Sequence, residues 1–147
     1  MIACKISLRL TALFAGLLVG CASAPGGGGS DRIHNEAAYD AWRAGRSRIE
    51  VTLGGSVARI LGTRMGRSGS HEGFVLHLSG ATGRGLTVRV EDNVDLTGPI
   101  PLREGEDVEV RGEYIFDPRG GIVHYTHRDP RGRHPAGYIL VDGKFYQ

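Results

Sequence analysis

Val108 to Thr126 reads VEVRGEYIFDPRGGIVHYT, and the alternation in this stretch decides the fold. Val108, Val110, Gly112, Tyr114 and Phe116 fall on one face of an extended chain, and Glu109, Arg111, Glu113 and Ile115 on the other, which is the period of a strand. Asp117-Pro118-Arg119-Gly120 then supplies a turn: aspartate accepts backbone bonds, proline presets φ, and glycine takes the left-handed angle. With those four residues as the loop, a fifth strand from Gly121 to Thr126 pairs back so that Phe116 faces Gly121, Tyr114 faces Val123 and Glu113 faces His124. Apolar side chains then share one face, and Arg111, Glu113, His124 and Thr126 share the other. A three-residue loop would set Tyr114 against His124 and mix the two faces, so the four-residue loop is expected.

The same alternation runs outward from this hairpin. Upstream, Ile49, Val51 and Leu53 alternate with polar residues, Gly54-Gly55 marks a bend or bulge, and Val57 to Leu61 resumes the strand before a polar loop from Gly62 to Ser70. Phe74, Leu76 and Leu78 make a second strand, and Leu86, Val88 and Val90 a third across a glycine-rich connection. A weak helical signal separates the third strand from the fourth. Downstream, Tyr138 to Val141 and Lys144 to Tyr146 form a small hairpin around Asp142-Gly143. The expected fold is all-β: a small five-stranded OB-like barrel with a short N-terminal helix and a C-terminal β-hairpin extension. A β-sandwich is the alternative, but closure removes exposed strand edges from a small domain without a disulfide.

The organisation follows as a signal peptide at 1–20, a lipidated cysteine and Gly-rich tether at 21–34, a short helix at 35–46 and the barrel at 48–147. Lys5 and Arg9 precede an apolar run from Leu10 to Val19, which is shorter than the roughly 20 residues a bilayer span needs. Leu18-Val19-Gly20-Cys21 resembles the bacterial lipobox, which implies lipidation of Cys21. Ala22 stands where an inner-membrane retention signal would place aspartate, so the resemblance to sorted lipoproteins implies an outer-membrane anchor facing the periplasm. ASAPGGGGS, Ala22 to Ser30, has the composition of a flexible tether. Asn35 is expected to cap the helix, with Ala38, Tyr39 and Trp42 on one side, Gly45 at its end, and Trp42 docked on the barrel.

Of two cysteines, Cys4 lies in the signal and Cys21 at the lipid site, so no disulfide staples the mature domain. The formal charge of +2 also belongs to the signal, since removing Lys5 and Arg9 leaves 16 basic against 16 acidic residues. Near-neutrality disfavours nucleic acid, which calls for a basic face that displaces counterions. An envelope glycan or protein is the expected partner.

Three of six histidines crowd into the fifteen residues from Gly120 to His134, which begin with the fifth strand. Glu113 orients His124 from the neighbouring strand in the expected register, and His127, Asp129 and His134 follow in the loop. The candidate ligand-binding residues are Arg111, Glu113, His124, Thr126, His127, Arg128, Asp129 and His134. As a metal site, His124, His127, Asp129 and His134 supply zinc-type ligands, but their spacing matches no standard zinc pattern. Without metal, a histidine beside a carboxylate suits general acid–base work, though no nucleophile is marked. The plainer alternative is that Thr126, Arg128 and Asp129 fasten a turn at Pro130 while the histidines bond backbone groups. His71-Glu72, and an outward His77 with Arg89, are weaker candidates. Three functions stay open: an envelope-anchored binding module, a metal-dependent or histidine-based hydrolase, and a structural part of an envelope assembly.

GEYIFDPRGGIVHYTHRDPRGRHPAGYI, Gly112 to Ile139, and the terminal GKFYQ resemble the bacterial domain of unknown function 3465 family, small exported proteins without an established activity. Its pattern joins an aromatic G-E-Y strand, an Asn/Asp-Pro-x-Gly-Gly turn, H-[WY]-T-H-x-D-P, R-H and a closing Y-Q. Departures fall at Ser70-His71-Glu72-Gly73, where the family commonly carries a basic, histidine-containing run, and at Glu91 to Leu96, where it carries a His-Asn pair.

Overall fold

The structure, a computed structural model, describes residues 32–80 and 85–147. The expected signal peptide, Cys21 and most of the tether lie outside the described residues. Helix α1 (Asn35–Arg43) precedes β1 (Ile49–Gly66), β2 (Gly69–Leu78), β3 (Thr87–Asn93), α2 (Val94–Thr97), β4 (Asp107–Ile115), β5 (Ile122–His124), β6 (Tyr138–Val141) and β7 (Lys144–Tyr146). The described strands form one seven-stranded sheet of order β1-β2-β3-β5-β4-β6-β7, and a further β1–β4 pairing turns the first five into a ring. β3 and β5 run parallel, the other pairs antiparallel. The fold is thus all-β with an OB-like five-strand ring, a short helix and a terminal hairpin.

β1 makes the ring possible. Its first half, Ile49 to Ser56, pairs with β4, and its second half, from Gly55 on, pairs with β2. At the changeover Gly55 pairs with both Leu78 and Val108, and a Cβ there would stand 2.0 Å from the His77 carbonyl oxygen. Only glycine admits that approach. The stretch expected to be a polar loop, Gly62 to Ser70, is instead the far end of β1, a tight turn and the start of β2. Register shifts at Val57/Arg59 and Ile60/Gly62 break the alternation that would have revealed a strand.

Leu53, Phe74, Leu76, Val88, Val90, Val110, Tyr114, Val123 and Ile139 are fully buried inside the ring. Each such side chain contributes on the order of 1.5–3 kcal/mol by leaving water. The four-residue turn has the expected register, with Tyr114 opposite Val123 and Glu113 opposite His124. The Asp117 side chain accepts from the Arg119 N–H at 2.9 Å, and the Gly120 N–H donates to the Asp117 carbonyl at 3.0 Å. Tyr114 Oη donates to the Gly120 carbonyl at 3.0 Å, and burial pushes this phenol up to about 12. Phe116, expected on the apolar face, lies beyond the end of β4 and is exposed.

The helix is placed differently from expectation. Asn35 does not cap α1; it is the first helical residue and is buried. Its Nδ2 donates to the Gly54 and Ser79 carbonyls, each at 2.8 Å, and its Oδ1 accepts from the Gly54 N–H at 2.9 Å. The side chain is spent on the buried backbone at the β1 bend, where a cap would have used it on its own helix. Trp42 packs on the core as expected, and its Nε1–H donates to the Pro118 carbonyl at 3.3 Å.

Candidate functional site

The β4–β5 register brings Glu113 and His124 together: the His124 Nε2–H donates to Glu113 Oε1 at 3.1 Å. Alternation stops at the next residue. β5 ends at His124, and Tyr125 takes a left-handed backbone with φ 56°, a conformation that costs a non-glycine residue on the order of 1 kcal/mol. The reversal puts the Tyr125 ring on the same side as His124 and stacks the two, centroids 4.0 Å apart. His134 stacks on the opposite face of Tyr125 at 4.1 Å, and His127 meets His134 edge-on at 5.1 Å.

The same reversal sends Thr126 inward, a correction to its expected place beside His124 on the polar face. Thr126 is fully buried, and its Oγ1 donates to Asp92 Oδ1 at 2.6 Å. The Thr97 hydroxyl donates to the other Asp92 oxygen. Burial nevertheless pushes the Asp92 carboxyl above its ordinary range, against these bonds.

Asp129 organises the loop. Its carboxylate accepts from the Arg131 N–H at 3.0 Å, the Arg133 N–H at 2.6 Å and Arg133 Nε at 2.9 Å. The side chain is 1% exposed, and the Arg133 guanidinium holds its carboxyl well below the usual range. The Gly137 N–H donates to the His127 carbonyl at 3.0 Å and closes the loop.

These parts line a pocket of about 660 Å³. One wall is His124 at the end of β5 and the loop after it, with Tyr125, His127, Asp129 and His134 and also Arg131 and Arg133. Facing it are Ser68 from the β1–β2 turn, His71 from the start of β2, Glu91 and Asn93 from the end of β3, and Asp95 and Leu96 from α2. Of the expected residues, Arg111 and Arg128 do not line it and Glu113 acts through His124. The facing wall is scarcely readable from the strand pattern, because it is the parallel β3–β5 pairing, together with the β2–β3 pairing, that brings the β1–β2 turn and α2 against this loop. Apart from Ser68, its residues fall in the two places where the chain departs from the pattern of the family it resembles.

Among the described residues, no group of three or more His, Cys, Asp or Glu is arranged to hold a metal ion. The expected set of His124, His127, Asp129 and His134 does not converge, because Tyr125 separates His124 from His134 and Asp129 is engaged by Arg133. Zinc therefore does not fit these residues as a group. Each of the three histidines has one ring nitrogen tied as a donor: His124 Nε2 to Glu113, His127 Nδ1 to the Arg128 carbonyl at 2.9 Å, and His134 Nδ1 to the Pro135 carbonyl at 2.8 Å. In the neutral ring the second nitrogen is then an acceptor. Ser68 Oγ and His71 Nε2 are 3.2 Å apart in the turn, a serine–histidine contact that the sequence did not mark.

A model of the family described as "Protein of unknown function (DUF3465)" matches residues 29–147. No curated protein and no solved structure matches the chain.

Proposed function

We propose that this chain, which belongs to the DUF3465 family of proteins of unknown function, is an envelope lipoprotein whose OB-like domain binds a glycan in the histidine- and tyrosine-lined pocket. The anchor rests on Lys5, Arg9, the apolar run and Cys21, and the site's reach on the glycine-rich segment after it. The domain would then stand at the periplasmic face of the outer membrane.

The observation that carries the ligand reading is the His124–Tyr125–His134 stack inside the pocket. With both faces of Tyr125 covered, the stack offers ring edges, two imidazole acceptors and a phenol hydroxyl, and the adjoining His127 adds a third imidazole, opposite Glu91, Asn93 and Asp95. Convergent acceptors of this kind suit a hydroxyl-rich ligand, each sugar O–H finding an oxygen or nitrogen. The oriented Glu113–His124 pair has general-base geometry and favours a second reading, hydrolysis of the bound chain.

Two measurements test this. Chitohexaose, a neutral amino-sugar chain, is expected to shift the ring signals of His124, Tyr125, His127 and His134, and Tyr125→Ala to weaken binding about tenfold, near 1.4 kcal/mol. Unmoved ring signals would remove the pocket from the proposal. Shorter oligomers released by the wild type and not by His124→Gln would establish the hydrolase. Cys21→Ser is expected to release the protein from membranes, and continued membrane fractionation would overturn the anchor.

A further inference from the structure

A second groove, about 430 Å³, lies beside the pocket on the same outer surface of the ring. Its floor is one row across the sheet: Arg59 on β1 pairs with Val75 on β2, Val75 with Arg89 on β3, and Arg89 with Ile122 on β5. Arg64 and Arg119 also line it. Four guanidinium groups thus meet two carboxylates, Asp117 on the turn and Glu91 at the groove's end.

Those carboxylates leave cationic capacity over. Arg64 Nη2 approaches Glu91 Oε1 at 2.9 Å and Arg89 Nε pairs with the same oxygen, so one carboxylate serves two cations. Arg119 pairs with Asp117 at 3.1 Å while its side chain stays 85% exposed. Arg59 is exposed, and no ion pair or hydrogen bond engages its side chain among the described residues. Arginines with unspent N–H donors recognise carboxylate or phosphate groups through paired, charge-assisted bonds.

The groove is continuous with the pocket through β3. Thr87 and Arg89 line the groove, and Glu91 and Asn93, the next outward positions of the same strand, line the pocket. An extended ligand following the outer row of β3 therefore meets arginines first and the acceptor edges of the histidine stack second. A nucleic-acid strand would need open aromatic faces for its bases. Both faces of Tyr125 are covered, and no aromatic side chain lines the groove among the described residues.

We propose that this arginine groove is a subsite for the carboxylate or phosphate groups of an acidic sugar chain whose neutral hydroxyl-rich part occupies the adjoining pocket. This rests on the glycan reading of the pocket and adds the charge of the ligand.

The test uses the full-length protein in detergent with four probes: chitohexaose, hexagalacturonate for sugar carboxylates, phosphorylated pentamannose for sugar phosphates, and a twelve-nucleotide oligothymidine. At least one acidic sugar is expected to bind about tenfold more tightly than chitohexaose, to weaken with salt, and to lose that advantage in an Arg59→Ala/Arg119→Ala variant that binds chitohexaose as before. The tighter of the two identifies the acid. Arg119→Ala alone serves as the control should the double variant have a lowered melting temperature. Chitohexaose binding with no preference for either acid, or a preference unmoved by the arginine substitutions, overturns the groove and leaves the pocket standing. Arginine-dependent binding of an acid without chitohexaose binding leaves the groove and removes the pocket. Oligothymidine binding tighter than either acid, or no binding of any probe, overturns both.

Discussion

Glu113 and His124 face each other across β4 and β5, with Nε2 and Oε1 3.1 Å apart and both side chains partly open to solvent, 22% and 32% exposed. At that exposure, solvent screens most of the attraction, and such a pair contributes about 0.2–1 kcal/mol. A double-mutant cycle of Glu113→Gln and His124→Gln, read by urea unfolding, is expected to give a coupling below about 1 kcal/mol. Chitohexaose binding should fall far more than stability does. A coupling of several kcal/mol would make the pair a structural fastening.

Asp92 behaves in the opposite way. Burial, the largest cause, raises its carboxyl above the ordinary value of 3.8 despite the bonds from Thr126 and Thr97. The folded chain therefore holds the proton more tightly than the unfolded one. The resulting stabilisation is complete below about pH 4 and is lost as pH rises through the folded value, by about 1.4 kcal/mol per unit of displacement. Asp92→Asn cannot ionise and keeps an acceptor for Thr126. Its melting temperature relative to the wild type is expected to climb from pH 4 to pH 7, and a constant difference would contradict the raised value.

The left-handed backbone at Tyr125 separates strain from stacking. Glycine adopts φ near 56° freely and alanine does not. Tyr125→Gly should therefore be more stable than Tyr125→Ala by about 1 kcal/mol, while both lose the stack and, with it, the chitohexaose binding proposed for it. Equal thermal unfolding midpoints for the two variants would show that the backbone relaxes.

Asn35→Ala removes three bonds to Gly54 and Ser79 and leaves backbone groups at the β1 bend without those partners. A loss of about 2–3 kcal/mol is expected by chemical denaturation. A loss of a few tenths would mean that water replaces the side chain.

What the sequence made legible was local. The turn at Asp117 to Gly120 carries its own chemistry, so one hairpin register and the Glu113–His124 pairing followed from it. Asp142-Gly143 announced the last hairpin in the same way, and both residues take the positive φ that such a turn requires. The rest depended on tertiary placement. Asn35 looks like a cap because nothing nearby in sequence shows that the bend at Gly54 lies beside it. The arm from Gly62 to Gly66 hides its strand character behind bulges and two exposed faces. Thr126 reads as an outward residue because a tyrosine in a left-handed conformation leaves no signature in the pattern.

β5 and β6 sit end to end along one edge of β4, the first against Glu113 to Ile115 and the second against Glu109 to Arg111. Everything from Tyr125 to Gly137 is thus an excursion that departs from that edge and rejoins it one step further on. Its two ends are fastened, by buried Thr126 on Asp92 and by the Gly137 N–H on the His127 carbonyl, so the part between them can change in length and composition without forcing any strand to slide. This makes the scaffold a socket, in which the segment between His127 and Gly137 can be exchanged while the sheet and its buried contacts stay in place.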